Sequence, residues 1–116
     1  MTAKVNLNIF NMRCAPLEHV KGKCEWDFGS ESPQWFVIRL VCFARLRNYT
    51  TYRAFAPIEE MIISVPPQQG IIDFAFKLPG FPYSFEGKLF CVEYAIETEI
   101  EGNDASQTMI ECAPPR

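Results

Sequence analysis

The chain has 116 residues, 48% of them apolar and 22% charged, with a net charge of -3 and a pI of about 5.1. That length suits one domain spanning 1–116, and mild acidity without a Lys/Arg stripe argues against the phosphate-reading surface of a nucleic-acid binder. No apolar run approaches the ~20 residues that span a bilayer, and Met1–Asn11 carries no secretory-type stretch, so a cytoplasmic protein without a transmembrane segment is expected.

Hydrophobic alternation then predicts strands from one end to the other. Val5, Leu7 and Ile9 alternate with Lys4, Asn6 and Asn8 in a short first strand. Pro16 and Gly22 bracket a turn, and Val20, Gly22, Cys24, Trp26 and Phe28 share one parity against Lys21, Lys23, Glu25 and Asp27. Gly29–Pro33 interrupts the pattern. Trp35–Arg47 is a long strand whose even positions are all apolar. Asn48–Thr50 turns the chain, and Thr51–Ala56 and Ile58–Val65 read as two strands parted by Pro57.

Beyond the polar tip Gln68-Gln69-Gly70, Ile71–Leu78 points Ile72, Phe74, Phe76 and Leu78 inward. Lys88–Glu101 places Phe90, Val92, Tyr94, Ile96, Thr98 and Ile100 on a core face. Its other face carries Cys91, Glu93, Ala95, Glu97, Glu99 and Glu101, an acidic outside. Gly102-Asn103-Asp104 reverses the chain, and Thr108–Cys112 returns as a last strand. No window holds helical periodicity beyond a turn. Seven or eight strands punctuated by Gly, Pro and Asn indicate an all-β sandwich.

Few residues suggest chemistry. His19 is the single histidine, and no nucleophile signature accompanies it, so no catalytic residue is assigned. Glu93, Glu97, Glu99 and Glu101 line one strand face and are expected to be solvated, pairing with outward Arg39, Arg45 or Arg47. Glu101-Gly102-Asn103-Asp104 lacks the regular acid spacing of a calcium loop. The five cysteines (Cys14, Cys24, Cys42, Cys91 and Cys112) are odd in number and form no C-x-x-C pair, so free thiols are expected, with no metal and no cofactor.

Four segments in order carry a resemblance. They are Gly22-Lys23-Cys24-Glu25-Trp26, the strand Val37–Arg47, the run Gly70–Pro79, and Pro82–Ile96 with its turn Pro82-Tyr83-Ser84-Phe85-Glu86-Gly87. Together, over roughly Leu17–Glu101, they resemble one half of an arrestin-fold protein, such as arrestin or the bacterial sporulation-control proteins. The resemblance implies an immunoglobulin-like β-sandwich, an arrestin-like half-domain. Those relatives set two sandwiches in tandem, so a receptor-sensing core between lobes does not carry over to a single one.

Val37, Val41 and Phe43, with Ile71, place apolar side chains opposite the expected core and form the candidate interaction surface. The expectation is a non-enzymatic interaction or scaffold module whose protein partner is unidentified and which pairs with itself as a homodimer. An open edge at Val5–Phe10 or Ile58–Val65 offers a second route to self-pairing. The alternative is a carbohydrate- or lipid-binding sandwich using Trp35, Tyr49, Tyr52, Phe81 and Tyr83. A deep pocket with convergent polar groups would favour that alternative.

Overall fold

The computed structural model describes residues 3–46, 53–80, 84–86 and 90–113; within its strands, the side chains of 45–46, 53–56, 85–86 and 90–91 are not described. Among the described residues there is no helix, and so none long and apolar enough to cross a membrane. The strands are β1 (Lys4–Ile9), β2 (Arg13–Cys14), β3 (His19–Asp27), β4 (Trp35–Leu46), β5 (Arg53–Ser64), β6 (Gln69–Lys77), β7 (Phe85–Glu86), β8 (Phe90–Ile100) and β9 (Ser106–Cys112). Two sheets result. One has the order β1-β3-β6; the other runs β2-β9-β8-β4-β5, with β7 pairing β8 off that path. The fold is an all-β sandwich, as the alternation predicts.

The core between the sheets follows the expected parity. Trp26, Phe36, Ile38, Leu40, Phe74, Phe76, Tyr94 and Ile96 are buried there, and Val92 packs against them partly buried. Trp26, Phe28 and Phe36 make an aromatic cluster, with centroids 5.5 Å apart for Trp26–Phe36 and 5.9 Å for the edge-on pair Phe28–Phe36. Each fully buried side chain of this size contributes ~1.5–3 kcal/mol. The Trp26 ring lies over Gly70, where a Cβ would come within 2.3 Å of Cζ2. Gly22, read as the end of a turn, is instead inside β3 opposite Phe74, and its missing side chain admits that ring. His19, the single histidine, opens β3 and is exposed.

Pro57 does not end a strand. Thr51–Ala56 and Ile58–Val65 were separate expectations, but β5 runs without a break through the proline. The pairing with β4 steps from Leu40↔Glu59 to Val41↔Pro57, leaving Ile58 as the extra residue of a bulge. A border strand tolerates a proline because its outer backbone groups serve no ladder.

Candidate interaction surfaces

The outer face of the six-stranded sheet departs from expectation. Val37, Val41 and Phe43 do lie opposite the core, but they are only 5%, 0% and 3% exposed. Val41 and Phe43 form a small second cluster with Ala95. The reason is strand order: β4 is flanked by β5 and β8, so every outward side chain has neighbours on both sides. Ile71 is 57% exposed, but it belongs to β6 in the other sheet. The four residues therefore do not make one accessible surface.

Arg39 occupies the middle of this covered face. Its Nη1 donates to Glu97 Oε2 at 2.5 Å and to Glu99 Oε1 at 3.0 Å, while Nε lies 3.8 Å from Glu60 Oε1 without a hydrogen bond. Gln107 Nε2 also donates to Glu97. Glu97 is 4% exposed, so the acidic face is not simply solvated. Burial opposes the Arg39 charge, yet the hydrogen bonds to Glu97 and Glu99 outweigh it and raise the guanidinium pKa. Of the arginines expected to pair with these carboxylates, Arg39 does so; the side chains of Arg45 and Arg47 lie outside the described residues.

Cys14, Cys24, Cys42 and Cys112 are free thiols, and the Cys91 side chain lies outside the described residues. Burial, with Glu25 adding to it, pushes the Cys24 thiol up to about 12. Burial also raises Cys42 and Cys112, and it raises Tyr94 beside them. Such thiols are packing residues rather than nucleophiles. Among the described residues no three His, Cys, Asp or Glu side chains gather as a metal site.

Two concavities stand out among the described residues. A shallow groove of about 630 Å³ lies on the three-stranded sheet, lined by residues including Lys4, Asn6, Glu25, Asp27, Gln69 and Ile71. Ile71 shares this lining with Val5 and Trp26, both of which also pack into the core. A cleft of about 370 Å³ opens between the sheets, where Val5 and Leu7 of β1 face Thr98 and Ile100 of β8 and Thr108 of β9. Sequence reasoning missed this cleft, since nothing in the residues tells which strands border it. Of the aromatic residues named for a ligand-binding alternative, Trp35 is half-buried, and Tyr49, Tyr52, Phe81 and Tyr83 lie outside the described residues.

Solved structures share this architecture. Spo0M, a sporulation control protein from Bacillus subtilis, superimposes with a TM-score of 0.67 at 21% identity, over 99% of this chain and 51% of that one. The chain has an arrestin-like fold. It spans about half the length of Spo0M. A β-glucosidase, EmGH1 from Erythrobacter marinus, matches at TM-score 0.52 and 12% identity, over 97% of this chain but 15% of the enzyme. No family model matches the sequence, and no curated protein matches it.

Proposed function

We propose that this chain is a non-enzymatic protein-interaction module, in which an arrestin-like sandwich presents strand borders to a protein partner. One observation carries the reading: among the described residues β1 and β9 are not paired, and a cleft opens at the seam between them. A border strand offers a row of backbone donors and acceptors, and such rows recruit further strands. The likeness to half of a sporulation control protein supports a regulatory use of the scaffold. Free thiols at Cys14, Cys24, Cys42 and Cys112 suit the reducing cytoplasm. Self-pairing through the covered residues Val37, Val41 and Phe43 loses its basis, so any homodimer of this chain would form at a border.

Affinity capture with the tagged full chain tests the reading. A protein recovered in near-equal amount, and displaced by excess untagged chain, is the expected result. Recovery of background proteins alone would remove the support for an interaction module.

A further inference from the structure

The seam specifies what it accepts. β9 is covered on its outer side by β2 only at its end, where Arg13 pairs with Glu111 and Cys14 with Cys112. The chain arrives there from the other sheet: β1 lies beside β3, and the chain crosses over at Phe10–Met12. Ser106–Ile110 therefore runs along the border beyond the reach of β2.

The hydrogen bonds fix which backbone groups look outward. Glu111 N and Ala113 N donate to Met12 O and Cys14 O on the β2 side, whereas Cys112 N and O bond Ser84 on the other side. Successive strand residues alternate the direction of their N–H and C=O groups. Hence the N–H and C=O of Met109 point away from β8, to a side where no strand among the described residues pairs with them. Those of Thr108 and Ile110 point to β8, where the paired residues are Ile96 and Tyr94.

The cleft adjoins this border. Val5, Leu7 and Ile9 face inward yet stay half-buried, while the inward residues of β3 are buried from Val20 to Trp26. Among the described residues the cleft is bordered by apolar Val5, Leu7 and Ile100 and by the polar Thr98, Ser106 and Thr108. The border itself, Ser106-Gln107-Thr108-Met109-Ile110, carries neither charge nor proline. Charge collects at the mouth instead. The Glu31 carboxylate accepts from Ala3 N at 3.0 Å and from Asn103 Nδ2 at 3.4 Å, tying the two walls together, and exposed Asp104 follows Asn103 in the lining of the cleft.

We infer that Ser106–Ile110 and the adjoining cleft bind an extended segment of a partner protein as an added strand. Its alternate apolar side chains enter the cleft against Val5 and Leu7, and a lysine or arginine at its end lies over Glu31 and Asp104. The inference rests on the interaction-module reading. A second copy of this chain fits less well: each copy has a net charge of -3, and its own Ile110 is held in its own core. A hydrocarbon ligand would leave the backbone of Met109 unmet.

The test titrates the isotope-labelled full chain by NMR with a synthetic peptide of two lysines followed by three valine–serine repeats. A control peptide has proline in place of the middle valine. Expected are saturable shifts confined to Val5–Ile9, Thr98–Ile100 and Ser106–Ile110, and about tenfold weaker binding of the control. Met109→Pro removes the outward N–H without touching the β8 ladder and should abolish binding. Asp104→Lys, on an exposed turn, should weaken the dilysine peptide several-fold while leaving a peptide without lysines unchanged. No saturable shift at millimolar peptide, shifts centred on β5 or β6, or equal binding of the control would each overturn the inference. So would a concentration-dependent dimer joined at Ser106–Ile110, which would assign the border to a second copy. A captured partner that folded Met109→Pro still binds would sink this site but leave the module reading standing. Failure to capture any partner counts against the module reading itself.

Discussion

At one border of the six-stranded sheet, β5 carries Pro57, a bulge at Ile58 and the carboxylate of Glu59 at an inward position. At the other border, Ser106–Ile110 carries none of these. Glu59 pairs with Leu40, a core residue, and its Oε2 accepts from Lys77 N of the other sheet at 3.1 Å. Proline, bulge and inward charge are the devices by which border strands resist pairing. The difference teaches that openness here is local and selective: one sheet is guarded on one side and accessible on the other.

The coarsest way to erase the contrast is to loosen the core beneath both borders. Phe76→Ala should cost ~3–5 kcal/mol, since Phe76 is 2% exposed and stacks on Phe74 with ring centroids 5.5 Å apart. For a domain whose total stability is ~5–15 kcal/mol, the melting temperature should fall steeply. An unchanged melting temperature would show that the core does not support these strands.

A smaller effect is expected midway between the borders. Arg39→Ala leaves Glu97 buried without its cation and should cost about 2–3 kcal/mol by urea denaturation. A loss under about 0.5 kcal/mol, the range of exposed pairs, would mean that water already solvates the carboxylate. Glu59→Val makes the guarded border resemble the bare one. Its stability should change by less than about 1 kcal/mol, while light scattering should show a mass that rises with concentration. A constant single-chain mass would show that Pro57 and the bulge guard β5 without Glu59.

The parity of the core was legible because burial between sheets imposes period two on β3, β4, β6 and β8, as Trp26 to Phe28 and Phe36 to Leu40 show. The covered outer face was not legible. Whether Val41 meets water depends on which strands flank β4, and alternation carries no information about neighbours. Pro57 misled for the same reason, since its effect depends on a border position. β9 was expected from Thr108, but it begins at Ser106, because polar residues at an open border interrupt the apolar signal. The arrestin-like motifs specified the scaffold, and the seam emerged only from the order of β1, β2 and β9.

The thiols offer the finest distinction between interior and border. In Cys91→Ser, which leaves buried Cys14, Cys24 and Cys112 and half-buried Cys42, modification by a thiol reagent at pH 8 should be far slower than in denaturant. Burial raises the folded pKa of these thiols above the unfolded value, so the thiolate population and the rate should keep climbing as pH rises past 9. A plateau near pH 8.5 would mean that they behave as exposed thiols.

Amide hydrogen exchange in the monomeric chain tests the open border most directly. The Met109 amide should exchange at least about a hundredfold faster than those of Thr108 and Ile110, which point toward β8. Equal protection at all three positions in the monomer would contradict the account, because it would mean that the border is already paired.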